Sequence, residues 1–236
     1  MSEPEIHRFA QVSSTLDVIH EFAGRGAPHG TVVVADEQLA GRGSRGRTWH
    51  SPLGGLWYSI LFRGGEADEA LSLQVGLAVA DAIEGMVQEA KLAIKWPNDL
   101  MLGERKAGGV LCEARWQGSA LAWIAVGLGL NVRNQLPDMV VPGAVALNSV
   151  LPPLHPGSLV VPITRALRAL PRDRTGLSAA DLQRFDDRDW LRGRAVVEPV
   201  KGVADGVERD GRLRVKRPDG ELVQLRSGTV VLSSRA

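Results

Sequence analysis

A chain of 236 residues with 28 basic and 27 acidic side chains has a formal charge of +1, too nearly neutral for a general nucleic-acid binder. Its length suits one large domain and at most one small one, with ample apolar content for a real core. A lone Cys112 excludes an internal disulfide framework, no apolar run is long enough to cross a bilayer, and the acidic start Met1-Ser2-Glu3-Pro4-Glu5 lacks a signal peptide's apolar segment. A reducing, cytoplasmic setting is expected.

In chain order, Ser13-Ser14-Thr15 precede Leu16, Val18, Ile19 and Phe22 at helical spacing, which predicts a capped amphipathic helix ending near Gly24. β-Branched and apolar residues predict a strand over 31–35, leading into a glycine-rich loop, and a second over 56–62. Apolar spacing predicts a long helix over 71–87. A strand over 92–96 is stopped by Pro97-Asn98-Asp99, and strands over 106–114 and 120–132 form a hairpin across Gln117-Gly118-Ser119. After a loop-rich stretch over 142–156, helices follow over 159–170 and 179–185. This order predicts an α+β fold with a mixed, largely antiparallel sheet. Composition shifts at Asp186-Asp187-Arg188-Asp189, beyond which short strands over 195–199, 202–208, 212–216, 222–226 and 230–232 predict a small β-barrel or sandwich. The expected division is a large unit over 1–187 and a small one over 188–236.

Chemistry concentrates in four motifs. Gly41-Arg42-Gly43-Ser44-Arg45-Gly46-Arg47 alternates glycines with arginines. Glycine lets backbone approach a ligand closely, and arginine supplies a permanent charge in a planar fork, so an anionic ligand is expected. A solvated arginine-rich turn explains the charges but not the flanking Gln38 and Trp49. The literal GxGxxG is not a dinucleotide fingerprint, because a strand rather than a helix follows. Nor is it a kinase loop: Ala93-Ile94-Lys95 resembles the kinase lysine strand, but neither His-Arg-Asp nor Asp-Phe-Gly occurs, and there is no Walker A sequence.

In Lys95-Trp96-Pro97-Asn98-Asp99-Leu100, Asp99 is a candidate Mg²⁺ ligand and Asn98 a partner for phosphate or ribose oxygen, although alone the motif reads as an ordinary surface turn. Lys106-Ala107-Gly108-Gly109 sets a lysine beside two glycines that permit close backbone approach; a hairpin entry with a solvated lysine is the plainer alternative. With only five lysines in the chain, Lys95 and Lys106 falling so close together carries weight. In Gly127-Leu128-Gly129-Leu130-Asn131-Val132 two glycines share a strand face, flooring a slot for a flat ligand with Asn131 at its end, or else marking a bulged core strand. The five histidines lack metal-ligand spacing and read as surface or turn residues. Trp57, Trp116, Trp123 and Trp190 read as core or hinge aromatics, and Arg165, Arg168, Arg172 and Arg174 as a solvated helix face and its end. Cys112 reads as a buried small apolar residue. No constellation for covalent catalysis is legible in linear order.

Taken together and in this order, the four motifs resemble the biotin–protein ligases, over about residues 13–132, and the C-terminal strands look like that family's SH3-like domain. The resemblance implies a class II synthetase-like catalytic domain that joins biotin to ATP as biotinyl-5′-AMP, then transfers biotin to a lysine on the biotin acceptor domain of a carboxylase. It implies that Lys106 and Arg42 are catalytic, with Lys106 bridging carboxylate and α-phosphate. Biotin would contact Ser14, Thr15, Leu16, Gln38, Gly41, Arg42, Gly43, Ser44, Lys106, Gly108 and Gly129. ATP or the adenylate would contact Arg45, Arg47, Trp49, Asn98, Asp99 and Asn131, with Mg²⁺ on Asp99. Little chain precedes Ser13, so no DNA-binding winged helix and no operator binding are expected. A monomer or a homodimer is compatible with the exposed sheet edge. Two departures bear on retention of the adenylate: Ser44 stands where some relatives carry arginine, and residues 142–147 lack the aromatic that some relatives close over adenine. The rivals are a lipoate or octanoate ligase of related fold and, from another class, an RNA-binding module, which would require a basic surface with interleaved aromatics.

Overall fold

The computed structural model describes residues 5–172 and 175–233. Its main sheet has seven strands in the order β1-β2-β3-β7-β6-β5-β4. These are β1 (Ile6–Val12), β2 (Val32–Gln38), β3 (Leu56–Phe62), β4 (Leu92–Lys95), β5 (Asp99–Leu102), β6 (Arg105–Gln117) and β7 (Ala120–Leu130). Only β1 and β2 pair in parallel; every other neighbour is antiparallel. Four α-helices are found among the described residues: α1 (Thr15–Gly24), α2 (Leu71–Glu84), α3 (Pro156–Arg168) and α4 (Ala179–Asp186). None is long and apolar enough to cross a membrane.

Every side chain of β3 is buried because the sheet is covered on both faces. Tyr58, Ile60 and Phe62 join the core formed with α2 and α3, whereas Leu61 packs with Leu16, Ile19 and Ala23 of α1. Ser14 caps α1, its Oγ accepting from Leu16 N at 3.3 Å, and this anchors the helix start beside the sheet.

Two strands went unforeseen. β1 lies at the sheet edge and is largely solvated, so it shows no apolar run; parallel pairing with β2 holds it. β5 begins at Asp99, already paired with Lys95, because Trp96, Pro97 and Asn98 alone reverse the chain. The expected stop is a tight hairpin. β6 and β7 outrun their neighbours, which leaves Trp116 near their tip 56% exposed rather than in a core. The arginine face also differs from expectation: Arg165 is exposed, but Arg168 is partly buried, and the half-buried Arg172 lies 5.1 Å from the Phe62 ring centre. Arg174 lies outside the described residues.

The C-terminal strands β8 (Ala195–Glu198), β9 (Gly202–Val207), β10 (Leu213–Lys216), β11 (Leu222–Leu225) and β12 (Val231–Leu232) form a separate antiparallel sheet ordered β11-β10-β9-β8-β12, consistent with an SH3-like unit. It packs directly on the main sheet. Ile94 N donates to Arg188 O at 2.8 Å, Trp190 N donates to Ile94 O at 3.0 Å, and the buried Trp96 Nε1 donates to Gly211 O at 2.8 Å. Val196, Leu213 and Val215 share one apolar cluster with Ile83 and Leu92.

Candidate active site

The first glycine-rich motif, the start of α1 and one face of β6 and β7 enclose a cavity of about 200 Å³. Ser14, Thr15, Leu16, Gln38, Arg42, Gly43, Ser44, Arg47, Trp49, Asn98, Lys106, Gly129 and Asn131 line it. Gly41 and Gly108 sit behind this surface, while Arg45 and Asp99 line an adjoining cavity of about 380 Å³ with Arg47, Lys95 and Thr229. Sequence reasoning missed Tyr58, His50, Val110, Leu111 and Val141 among the lining residues, while Pro142 and Ala144 belong to the segment that the resemblance placed near adenine. Strand alternation signals Leu111, which pairs with Gly127 as Gly109 pairs with Gly129. Nothing local signals Ala144; it arrives because Lys106 N donates to Gly143 O and Val145 N donates to Lys106 O, both at 2.9 Å.

Gln38 organises the polar end of the cavity. Its Oε1 accepts from Thr15 N at 2.8 Å and Thr15 Oγ1 at 3.1 Å, its Nε2 donates to Ser51 Oγ at 2.8 Å, and Ser59 Oγ donates to Thr15 Oγ1 at 2.8 Å. Such a chain presents fixed donors and acceptors without a full charge, suited to a neutral polar head group.

The glycine loop is a small hairpin. Trp49 N donates to Gly41 O at 2.9 Å, Gly43 N donates to Arg47 O at 2.7 Å, and a single 3₁₀ turn spans Ser44–Gly46. A Cβ on Gly41 would stand 2.4 Å from Trp49 O and 2.5 Å from Ser51 Oγ, so only glycine fits the closed base. Arg45 at the tip has φ +61°, the left-handed region, and its guanidinium donates to Thr229 Oγ1 in the C-terminal unit. Ser44 accepts from Arg47 Nη2 at 2.8 Å through its hydroxyl, so it props its neighbour within the loop. Arg42 lines the cavity while its guanidinium pairs with Asp17 and, at 3.4 Å, with Glu113. His20, expected at the surface, is only 13% exposed and lies 2.7 Å from Glu113. That hydrogen bond, opposed by burial and reinforced by Arg42, holds the Glu113 carboxyl below the usual carboxylate range.

The expected slot over Gly127 and Gly129 is already filled by protein. Trp49 packs so closely that a Cβ on Gly129 would lie 2.4 Å from its Nε1, and a Cβ on Gly127 would lie 3.0 Å from Leu16. The glycines therefore seat two side chains, which themselves line the cavity. Lys106 Nζ lies 5.1 Å from the Trp49 ring centre and 2.5 Å from Asp99 Oδ1, at the join of the two cavities. Beside it, burial lowers the Lys95 pKa; Asp99 acts in the opposite sense, while Lys106, Arg194 and Arg47 lower it further. The two asparagines are partly spent on architecture. Asn98 Nδ2 donates to Val110 O at 2.6 Å, and Asn131 Oδ1 accepts from Asn134 Nδ2 at 3.1 Å.

Residues 9–131 match the profile of the biotin/lipoate A/B protein ligase family. The bifunctional ligase/repressor BirA of Bacillus spizizenii is 38% identical over 131 residues, covering 54% of this chain and 40% of that protein. A Paracoccus denitrificans protein named biotin–acetyl-CoA-carboxylase ligase is 42% identical over 125 residues, covering 50% of this chain and 51% of the other. The chain thus spans about half or less of the length of these two relatives. A solved biotin protein ligase from Aquifex aeolicus, in complex with biotin and ATP, has the same fold, with a TM-score of 0.82 over 98% of this chain and 99% of that one at 24% identity. With over half of its residues inside the matched region, the chain belongs to the biotin/lipoate A/B protein ligase family.

Proposed function

We propose that this protein activates biotin with ATP and transfers it to a lysine on the biotin acceptor domain of a biotin-dependent carboxylase. The observation that carries this reading is the position of Lys106, which lines the cavity with the neutral polar end and pairs at 2.5 Å with Asp99 of the adjoining cavity, lined also by Arg45, Arg47 and Lys95. A biotin carboxylate oxygen attacks the α-phosphorus of ATP, and the bond to the bridging oxygen breaks, releasing pyrophosphate. The acceptor amine then attacks the acyl carbon of biotinyl-5′-AMP, losing a proton as AMP departs. No enzyme nucleophile is required, so the residues act by position and charge. Gln38, Thr15 and Ser14 hold the ureido head; Lys106 neutralises charge between carboxylate and α-phosphate; Arg45 and Arg47 face the nucleotide.

Asp99 is the carboxylate at this join, and Mg²⁺ commonly needs only one or two carboxylates beside substrate phosphates, so the residues fit the ion. Bound there, it would offset phosphate charge. We assign the chemistry to residues 1–187 and treat 188–236 as the SH3-like unit.

The test is mass spectrometry of an acceptor domain incubated with enzyme, MgATP and either biotin or lipoate. The expected result is a mass increase with biotin; modification by lipoate alone would overturn the reading. The name of the Paracoccus denitrificans relative favours biotin. Because Gly41 has no room for a methyl group, Gly41→Ala is expected to weaken biotin binding by calorimetry, by ~5- to 150-fold if the ~1–3 kcal/mol typical of overpacking falls on the bound state. Unchanged affinity would show that the loop base does not shape the site.

A further inference from the structure

The network behind the glycine loop has no part in the chemistry above. Glu113 of β6 is largely buried, and its Oε2 lies 2.7 Å from His20 Nε2, 3.4 Å from Arg42 Nη2 and 3.6 Å from Arg115 Nη2. Trp123 Nε1 lies 2.9 Å from His20 Nδ1. An indole N–H only donates, so Nδ1 must accept and the proton of a neutral imidazole must sit on Nε2, directed at Glu113. Trp123 thereby selects the tautomer in which His20 donates to the carboxylate. Arg42 has a second hold on Asp17, whose Oδ2 accepts from Ser13 Oγ at 2.6 Å.

None of Asp17, His20, Glu113 and Trp123 lines the cavity, and each sits on a regular element of the sheet or on α1. Arg42, in contrast, is in the loop, bridged through its backbone to Thr48 and followed by the Gly43–Arg47 hydrogen bond. Fixing its side chain therefore fixes both limbs of the hairpin. Charge-assisted contacts to a guanidinium are directional, so two carboxylates set its orientation as well as its place. A loop with three glycines has little restraint of its own.

We propose that Glu113, oriented by His20 and Trp123, is a positioning residue that acts with Asp17 to hold Arg42 and thereby keep the glycine loop closed over the ligand. This deepens the biotin-ligase reading and rests on it for its kinetic test. Its physical test is independent: hydrogen exchange of the amides of residues 42–48, measured by mass spectrometry on the full chain, needs no activity.

Glu113→Gln retains size and removes charge. The expected result is faster exchange at residues 42–48 without ligand and a KM for biotin raised about tenfold, with kcat changed much less. In a double-mutant cycle, Glu113→Gln and Arg42→Ala should be non-additive in loop protection. Unchanged protection with additive effects would overturn the proposal, as would a fall in kcat at constant KM and constant protection, which would place Glu113 in the chemistry. Trp123→Phe provides a second arm should Glu113→Gln not fold. It removes the donor to His20 and should loosen the loop in the same direction but less; an unchanged loop in that variant also overturns the proposal. If wild type proves inactive with biotin, the functional reading fails while the exchange result still decides the positioning role.

Discussion

Lys106→Ala should reduce biotin-dependent ATP–pyrophosphate exchange by ~10²–10³, the usual consequence of losing one preorganised charge contact. The ammonium stands 2.5 Å from Asp99 Oδ1 and faces the Trp49 ring, where the proposed function brings carboxylate and α-phosphate together. Its charge is needed chiefly while the anhydride forms. Transfer from preformed biotinyl-5′-AMP to the acceptor should therefore suffer less than exchange. Lys106→Arg should recover only part of the rate, because a planar fork does not reproduce a compact point charge. Near-normal exchange in folded Lys106→Ala would remove the residue from the mechanism. A far-UV spectrum and melting temperature close to wild type would establish that folding is not at issue.

Asp189→Asn should stabilise the protein at pH 8 relative to its effect at pH 4, by about 2–3 kcal/mol, since a one-unit pKa difference between folded and unfolded states is worth ~1.4 kcal/mol. Asp189 lies between α4 and β8, with Oδ1 accepting from Leu191 N at 2.9 Å and Oδ2 buried with no hydrogen-bond partner. Burial pushes its pKa up from 3.8 to about 6, opposed by the Leu191 amide and by Arg192. A folded-state value above the unfolded one means that the native protein binds the proton more tightly. The stabilisation is thus complete below about pH 3.8 and is lost as pH rises through about 6. Asparagine keeps the acceptor for Leu191 and cannot ionise. Denaturant titrations of both proteins at the two pH values measure the difference; a gap independent of pH would mean that Asp189 does not ionise across this range.

Most elements were legible because their signals are local. Residues 56–62 are apolar almost throughout and match β3, Ser14 caps α1 with its side chain, and Gly118 turns the β6–β7 hairpin with positive φ. The β1 strand was not legible, since a solvated edge need not be apolar, and β5 was masked by a turn signal that reads equally well as a stop. His20 looked like a surface residue because the groups that define it, Trp123 and Glu113, are 103 and 93 residues away.

The site divides in the same way. Residue types at short spacing were enough to point to an anionic ligand, through glycines for close backbone approach and arginines for charge, whereas Gln38 and Ser14-Thr15 entered only through the family resemblance. Residue types are covalent facts and need no fold to be read. Which groups face the cavity was settled by long-range packing instead. It paired Arg42 with Asp17 and Glu113, seated Trp49 on Gly129, and tied the loop tip to Thr229. Partner choice across long stretches of chain depends on how strands pair and helices pack, and charge attraction alone is indifferent to sequence distance. The arginines of the loop were thus readable as cations, while the carboxylates that claim one of them became visible only when β6 and α1 were brought beside it.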